Sequence, residues 1–219
     1  MTDFADARRH MVDGQVRPSD VSDLRVIGAM LEVPRENFAP PSAGSLAYLD
    51  IELPVGEGAG GPRRLLKPII LARLLNAAQI EPTDKVLDVG CASGYTAAVL
   101  ARVAAQVVAL EEDSALAKMA KAALVSQPNV TVVSGRLADG WAQGGPYDVI
   151  VLEGATEIEP EAFRKQLKDG GKLVCVLGSQ PGSAAWLYRK SGDEFGGRPV
   201  FSAAAAVLPG FVKPKAFAF

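Results

Sequence analysis

The sequence predicts an α/β fold in which a mainly parallel sheet is covered by helices on both faces. Between residues 68 and 180, short runs of consecutive apolar residues alternate with segments whose apolar residues recur at helical spacing. Strands that are apolar throughout are typical of parallel sheets buried on both faces. In addition, a turn containing glycine follows the first of these strands and leads directly into a helix, as in Rossmann-like folds.

The N-terminal region, residues 1–67, is predicted to contain one clear helix at 21–33. Candidate N-caps precede it, and Pro34 ends it. These candidate caps are Ser19, Asp20 and Ser22. A loop rich in Pro, Ser and Gly follows at 40–61, where only residues 47–51 are expected to pack.

The central region supplies the alternating strands and helices. The predicted strands are 85–89, 107–110, 130–133, 149–152 and 172–177. The predicted helices are 68–78, 96–103, 114–124 and 161–167. The first of these helices begins at Pro68, a residue that is favoured in the first turn of a helix. Together these elements form the predicted cofactor-binding core, residues 68–180.

The C-terminal region, residues 181–219, is expected to add antiparallel strands at the edge of the sheet, at 184–190 and near 203–208. We therefore predict one domain, in which the N-terminal region is an extension on the substrate side of the core. A chain of 219 residues with 48% hydrophobic residues is sufficient for one such domain.

Composition argues against several classes of function. The chain has 23 Lys and Arg against 25 Asp and Glu, which gives no electrostatic reason to expect nucleic acid or an anionic membrane as a partner. No apolar run approaches the ~20 residues that cross a bilayer, and residues 1–12 lack a signal-peptide core. Cys91 and Cys175 lack metal-ligand or redox spacing, so we expect no metal site and a cytoplasmic location.

The turn after the first central strand carries the candidate site. It reads DVGCASGY at 88–95, and its glycines allow backbone N–H groups to approach a ligand closely. The dinucleotide pattern G-x-G-x-x-G is incomplete, because only Gly90 and Gly94 are in place. Asp88 is unfavourable for a pyrophosphate, whereas its carboxylate suits an ammonium group or the N–H groups of the turn.

Two acidic residues end the second central strand. Glu111 and Glu112 follow the turn by about 20 residues, where a carboxylate is placed to accept both hydroxyls of a ribose. An adenosine with a cationic amino-acid tail and no phosphate fits this set, and S-adenosylmethionine is that molecule. The alternative is a tight turn in an α/β protein that binds nothing.

Five stretches of the chain resemble the protein-L-isoaspartate O-methyltransferase family. They occur in the family's order and spacing, and they read VPRENF at 33–38, AYLD at 47–50, VLDVG to AVLA at 86–101, PYDVI at 146–150 and QLKDGGKLV at 166–174. The resemblance implies a class I methyltransferase fold with a seven-stranded sheet, and S-adenosylmethionine as the cofactor. It also implies methyl transfer to the free carboxylate of isoaspartyl residues, so the expected partner is a protein or peptide that carries this acceptor. The residues expected to contact the cofactor are Asp88, Gly90, Cys91, Ala92, Ser93, Gly94, Glu111, Glu112, Arg136, Leu137 and Glu153.

Two departures from the family pattern affect the expected cofactor site. Ala92 stands where the family usually has glycine, and its Cβ is tolerable if the residue keeps a negative φ. Arg136 follows Gly135 where the family typically has an aspartate that reaches the adenine amino group, and a guanidinium cannot accept that hydrogen bond. Asp139 is a candidate substitute from a shifted loop.

Two further departures occur at Leu66 and Glu153. Leu66 occupies the position of the family's active-site serine, and Glu153 stands where the family often has threonine. An acceptor carboxylate is ionised at neutral pH, since such groups titrate near ~3.5, so the reaction needs no general base. With Leu66 in place of the hydroxyl, however, we expect feeble isoaspartyl turnover.

Basic and aromatic residues near this position have two interpretations. Arg63, Arg64 and Lys67 are candidates to bind a carboxylate directly, or they simply solvate an exposed loop. Tyr48 either lines the substrate side or packs the N-terminal region onto the sheet. Three functions therefore stay open: isoaspartyl methylation, methylation of another acceptor on the same fold, and cofactor binding without turnover.

Overall fold

The computed structural model describes residues 3–58, 61–179 and 181–214, which form five α-helices, nine strands, one π-helical turn (Val12–Val16) and short 3-10 turns. The helices are α1 (Phe4–Met11), α2 (Leu24–Glu32), α3 (Pro68–Ala78), α4 (Tyr95–Leu100) and α5 (Ser114–Ala123). The strands are β1 (Leu53–Gly58), β2 (Gly61–Leu65), β3 (Lys85–Val89), β4 (Gln106–Glu111), β5 (Val130–Ser134), β6 (Tyr147–Thr156), β7 (Leu167–Leu177), β8 (Ala184–Ser191) and β9 (Glu194–Ser202). In these described stretches, no helix is long and apolar enough to cross a membrane.

Seven of the strands form one sheet in the order β5-β4-β3-β6-β7-β8-β9. The first five are mutually parallel, and β8 and β9 are antiparallel, so the sheet is mainly parallel as predicted. From β3 the chain continues to β4 on one side and later returns to β6 on the other side. The carboxyl ends of β3, β4 and β6 therefore meet at a topological switch point, which is where open α/β sheets bind ligands.

The two faces of the sheet are covered differently. Val86, Val149 and Val174 face a core that is shared with α1 to α4 and includes Leu116 of α5. Alternate residues of the same strands, such as Leu87, face a second core with no α-helical member among the described residues. That second core is closed by 3-10 turns and by the C-terminal segment up to residue 211. The helix expected at 161–167 is one of these turns, Glu161–Gln166.

The N-terminal region contains more structure than the sequence predicted. The polar helix α1 was not predicted; it is capped by Asp3, whose carboxylate accepts from the amides of Ala5 and Asp6 at 3.0 and 3.2 Å. Helix α2 starts three residues later than expected, and its N-cap is Asp23. The candidate caps Ser19, Asp20 and Ser22 were therefore wrong, because the backbone enters the helix only after Asp23.

The predicted loop at 40–61 contains strand β1, which pairs with β2 as an antiparallel hairpin. Leu53, Val55 and Leu65 of this hairpin are buried, so packing extends well beyond residues 47–51. In β2, Arg63 and Leu65 point inwards, whereas Arg64 is only partly buried. This alternation places the Arg63 guanidinium against the sheet.

The C-terminal region differs from the prediction in its last strand. Strand β8 lies where expected, but the edge strand is β9, and residues 203–208 do not form an antiparallel strand. They run across the end of β6 through one parallel bridge between Ala155 and Val207. The amide of Ala155 donates to the carbonyl of Ala206 at 2.8 Å, and Leu208 is buried. This segment therefore closes the sheet edge beside the switch point.

Candidate functional site

The turn between β3 and α4, residues 90–94, is held against β4. The amides of Gly90 and Cys91 both donate to the carbonyl of Leu110, at 2.8 and 3.1 Å. Gly90 and Gly94 have φ of +84° and +99°, values that favour glycine. A Cβ on Gly94 would lie 3.3 Å from Ala120 Cβ of α5 and 2.8 Å from Cδ1 of Leu124, the residue that caps this helix, so α5 packs directly on the turn. We call residues 90–94 the glycine turn.

Ala92 lies in the left-handed region of the glycine turn, with φ +50°. The negative φ that would make its Cβ tolerable is therefore not present, because the turn retains the backbone geometry that glycine normally supplies. A left-handed conformation costs an L-residue roughly 1–2 kcal/mol. The amide of Ala92 donates to Glu111 Oε2 at 2.8 Å, and this bond holds the strained residue in place.

Three carboxylates are buried at the switch point, one from each of the strands that meet there. Asp88 belongs to β3, Glu111 ends β4 and Glu153 lies in β6, and each is at most 5% exposed. We call these three side chains the buried carboxylates. Among the residues that the structure describes, no group of His, Cys, Asp or Glu has the arrangement of a metal site.

Asp88 has no hydrogen-bond partner on either carboxylate oxygen within the described protein. Burial, together with the charges of Glu153 and Glu111, raises the pKa of Asp88 well above its ordinary value. The carboxylate therefore does not bond to the N–H groups of the glycine turn. Its unpaired, buried oxygens instead fit a cationic or hydrogen-bond-donating ligand.

Glu111 makes the densest set of contacts in the site. Its Oε1 accepts from Arg63 Nη1 at 2.6 Å and from the amides of Glu112 and Asp113 at 3.0 Å each. With the bond from Ala92 to Oε2, both oxygens have partners within the protein. Sequence reasoning placed Glu111 correctly at the end of β4 but did not reveal Arg63 as its partner.

Arg63 is buried, with only 3% of its surface exposed. Besides pairing with Glu111, its Nη2 donates to the carbonyl of Gly90 at 3.0 Å. The interpretation of Arg63 as a residue that solvates an exposed loop was therefore wrong. A cavity of about 10 Å³ beside it, lined in part by Arg64 and Glu153, has room for about one water.

Glu153 accepts a hydrogen bond from Thr96 Oγ1 at 2.8 Å, while its Oε1 is buried without a partner. Burial raises the pKa of Glu153 to about 7, although the bond from Thr96 and the charges of Arg35 and Arg63 act in the opposite direction. This carboxyl group thus changes charge close to neutral pH. Thr96, at the start of α4, is a member of the site that the sequence did not reveal.

The remaining residues expected at the cofactor lie around the glycine turn. The side chain of Ser93 donates to the carbonyl of Phe38 at 2.7 Å, and Cys91 is buried. Glu112 is exposed and accepts from the amide of Leu137 at 3.1 Å. The side chain of Leu137 packs close to Gly90, as the 3.4 Å distance from its Cδ1 to a Cβ built there indicates.

Among the residues that the structure describes, Arg136 makes no hydrogen bond or ion pair with the glycine turn. Its side chain is 77% exposed, and its Nη1 lies 3.9 Å from Asp139 Oδ2. Asp139 is exposed as well, so neither residue supplies a buried acceptor at the place where the family's aspartate is expected.

On the acceptor side, Leu66 is buried and its carbonyl accepts from Arg35 Nη2 at 2.7 Å. Arg35 has no exposed surface, its Nε donates to the carbonyl of Ala47 at 2.9 Å, and its guanidinium lies 4.6 Å from the ring centroid of Tyr95. Arg35 therefore fixes the chain on either side of the hairpin. Its long-range role was not readable from the sequence.

Tyr48 and Lys67 differ in how they lie relative to the site. Tyr48 is buried against Phe4, and its hydroxyl donates to Glu36, which favours the packing role over a substrate-lining role. Lys67 is partly buried and precedes α3 as its N-cap. A wider cavity of about 860 Å³, near Glu157 and Trp186, contains none of the predicted site residues.

Comparison with known proteins identifies one family. The family model described as protein-L-isoaspartate(D-aspartate) O-methyltransferase matches residues 7–202. A Koribacter versatilis protein named protein-L-isoaspartate O-methyltransferase is 39% identical over 192 residues, which are 87% of this chain and 85% of that protein. A Roseiflexus protein of the same name is 38% identical over 193 residues, 87% of this chain and 86% of its own length.

Solved structures show the same architecture. One described as a protein-L-isoaspartate O-methyltransferase superposes with a TM-score of 0.80 at 26% identity, over 93% of this chain and 66% of that chain. A Plasmodium falciparum protein in complex with S-adenosyl-L-homocysteine superposes with a TM-score of 0.74, over 95% of this chain and 99% of that chain. At 17% identity, the second likeness bears on the fold alone.

Proposed function

The chain belongs to the protein-L-isoaspartate(D-aspartate) O-methyltransferase family, and on this premise we propose that it transfers a methyl group from S-adenosylmethionine to the free carboxylate of isoaspartyl residues in proteins. The observation that carries this proposal is the set of buried carboxylates around the glycine turn. Asp88 and Glu153 present three buried oxygens without partners. Buried anionic oxygens are costly unless a cation or donor satisfies them, so this site fits a cationic ligand.

The side chains at the site are of the types that would bind S-adenosylmethionine. Glu111 would hold the ribose hydroxyls, and Asp88 would accept from the ammonium group, with the backbone of the glycine turn lying alongside. That backbone belongs to Gly90, Cys91, Ala92, Ser93 and Gly94. Glu112 and Leu137 flank the turn. Arg136 is exposed and, within the described part of the chain, pairs only with Asp139, so it has no role in the proposal. When bound, S-adenosylmethionine supplies an electrophilic methyl group on a sulfonium.

The chain's own residues have three tasks in this reaction. The acceptor carboxylate is already ionised, so the reaction needs no general base. The residues instead bind the acceptor, align its oxygen and exclude water. Leu66 supports the exclusion of water, since it is a buried apolar side chain. Arg64 is our candidate for acceptor binding, because it is partly buried and lines the small cavity that Glu153 also lines. A guanidinium there would pair with a carboxylate in bidentate fashion; Lys67 is the second candidate.

The test is transfer of labelled methyl to an isoaspartyl peptide and to its aspartyl twin. We expect label on the isoaspartyl peptide alone, at a low rate. Leu66→Ser should raise that rate by up to about 10²-fold, the usual effect of one positioned donor, whereas Leu66→Ala, the matched control without a hydroxyl, should not. Arg64→Met should lower it. Cofactor binding without transfer to either peptide would contradict the proposed acceptor.

A second candidate, methylation of a different acceptor on the same fold, is favoured by Glu153. A neutral hydroxyl or amine acceptor needs a general base, and a carboxyl group with a pKa of about 7 is suited to that task. If this candidate is correct, Glu153→Gln abolishes transfer to a neutral acceptor. With an ionised carboxylate acceptor no proton is transferred, so at saturating S-adenosylmethionine the same variant keeps its turnover rate, and this difference separates the two functions.

We also propose a cytoplasmic location. Cys91 and Cys175 are both buried and free, and burial raises the pKa of both thiols. Protonated, buried thiols are unreactive, and unpaired cysteines are typical of reducing compartments.

A further inference from the structure

Arg63 is the cation that the protein itself places among the buried carboxylates. The hairpin of β1 and β2 delivers it, because Arg63 points inwards from β2 while its neighbour Arg64 does not. Its guanidinium makes two hydrogen bonds, to Glu111 and to the carbonyl of Gly90, and its side chain is 4% exposed. This is a buried, specific ion pair and not a surface contact.

The atoms that Arg63 contacts are those that the proposed cofactor needs. Ribose hydroxyls require the Glu111 oxygens, and Oε1 already accepts from Arg63. The turn itself is covered, because a Cβ built on Gly90 would lie 3.1 Å from Arg63 Nη2 and 3.0 Å from Leu208 Cδ2. The cavity of about 10 Å³ beside these side chains is far too small for a nucleoside.

Charge gives a reason for the placement of Arg63. Its charge lowers the pKa of Asp88 and of Glu153, against the larger effect of burial. Removing Arg63 without a replacement would leave the buried carboxylates with less positive charge nearby, which is costly. A ligand that brings its own cation can take its place, so binding becomes an exchange of one cation for another.

We propose that Arg63 competes with the cofactor for Glu111, so that S-adenosylmethionine binds only when the Arg63 side chain and its hairpin move away from the glycine turn. Arg63 thereby sets the affinity for the cofactor, since the observed affinity is reduced by the fraction of molecules in which Arg63 occupies Glu111. This inference rests on the proposed function, because it assumes that the cofactor binds at the buried carboxylates.

The test is calorimetric titration of S-adenosyl-L-homocysteine and S-adenosylmethionine into wild type and Arg63→Met, which keeps the apolar stem. We expect Arg63→Met to bind both compounds roughly tenfold or more tightly than wild type. Arg164→Met, which removes a surface arginine paired with Glu161, is the matched control and should change the affinity less than twofold. Equal or weaker binding by Arg63→Met would overturn the inference; weaker binding would make Arg63 a cofactor ligand.

Amide hydrogen exchange of the wild-type protein provides a second readout if Arg63→Met does not fold. Saturation with S-adenosyl-L-homocysteine should speed the exchange of the amides in β2 several-fold, because the hairpin has moved. Equal or slower exchange would overturn the inference. Failure of the proposed cofactor site is distinguishable, since neither compound would then bind to wild type or to either variant. Failure of the proposed acceptor alone would leave these binding measurements unchanged.

Discussion

Replacing Glu153 by glutamine is predicted to remove a pH dependence from the stability of the fold. The Glu153 carboxyl group is buried, and its pKa rises from an ordinary 4.5 to about 7. Between these two values the folded protein holds a proton that the unfolded chain has released. The proton held by Glu153 therefore stabilises the folded state. This contribution is fully present below pH 4.5 and is lost as the pH rises through about 7.

The magnitude follows from the difference between the two pKa values. A tenfold change in an ionisation equilibrium corresponds to ~1.4 kcal/mol, so the full effect is on the order of 3 kcal/mol, and about 2–3 kcal/mol of it falls between pH 5 and 8. The Glu153→Gln side chain is neutral at every pH. Between pH 5 and 8 the free energy of unfolding of this variant should therefore fall by about 2–3 kcal/mol less than that of the wild type. Thr96 keeps an acceptor in the variant, because the glutamine amide retains one oxygen.

Urea unfolding at pH 5, 6, 7 and 8 measures the effect through the fluorescence of the chain's two tryptophans. Other titrating groups, such as Asp88, contribute to both proteins, so the quantity to compare is the difference between their slopes. Glu112→Gln, at an exposed carboxylate nearby, is the control and should follow the wild type. Parallel curves for wild type and Glu153→Gln would refute the reasoning.

Two further substitutions test the local geometry by the same unfolding measurement. Ala92→Gly should raise the free energy of unfolding by about 1 kcal/mol, because Ala92 has φ +50°. The control Ala97→Gly, inside α4, should lower the free energy of unfolding by a similar amount. A lower free energy of unfolding in both variants would contradict the strain at Ala92. Arg35→Lys should lower the free energy of unfolding by about 2–4 kcal/mol, since one ammonium cannot replace both guanidinium bonds to main-chain carbonyls. The control Arg25→Lys, at an exposed arginine, should lower the free energy of unfolding by less than about 0.5 kcal/mol. Equal effects of the two substitutions would refute the bridging role of Arg35.

The central strands and the glycine turn were predictable because their signals are local. An apolar run followed by glycines and a helical pattern predicted β3, the turn and α4, and the acidic end of β4 followed from its distance along the chain. The φ of Ala92 was not predictable, because alanine at this position is compatible with either sign. Its conformation is imposed by the bond from its amide to Glu111.

The hairpin and its buried arginine were missed for a different reason. Leu53, Val55 and Leu65 alternate in the strand pattern, but Gly and Pro residues interrupt the run, and an inward-facing Arg63 breaks the apolar alternation. The partner of that arginine, Glu111, is 48 residues away in the chain. A pairing over such a distance depends on the fold and leaves no local signal.

The position of the edge strand β9 was also predicted wrongly, because glycine and proline interrupt its strand pattern. Its sequence, EFGGRPVFS, contains two glycines and a proline, which argue against a central strand. An edge strand tolerates them, and among the described strands β9 pairs with β8 alone. The alanine-rich stretch at 203–208 had the better apolar pattern, yet it packs across the end of β6.

The most direct test of the account is a crystal structure of the protein grown with S-adenosyl-L-homocysteine. We expect the ribose hydroxyls within hydrogen-bonding distance of the Glu111 carboxylate, the ammonium group at Asp88, and the Arg63 guanidinium displaced from Gly90. A structure in which the compound binds elsewhere, with the pair between Arg63 and Glu111 intact, would contradict both the proposed cofactor site and the competition for it.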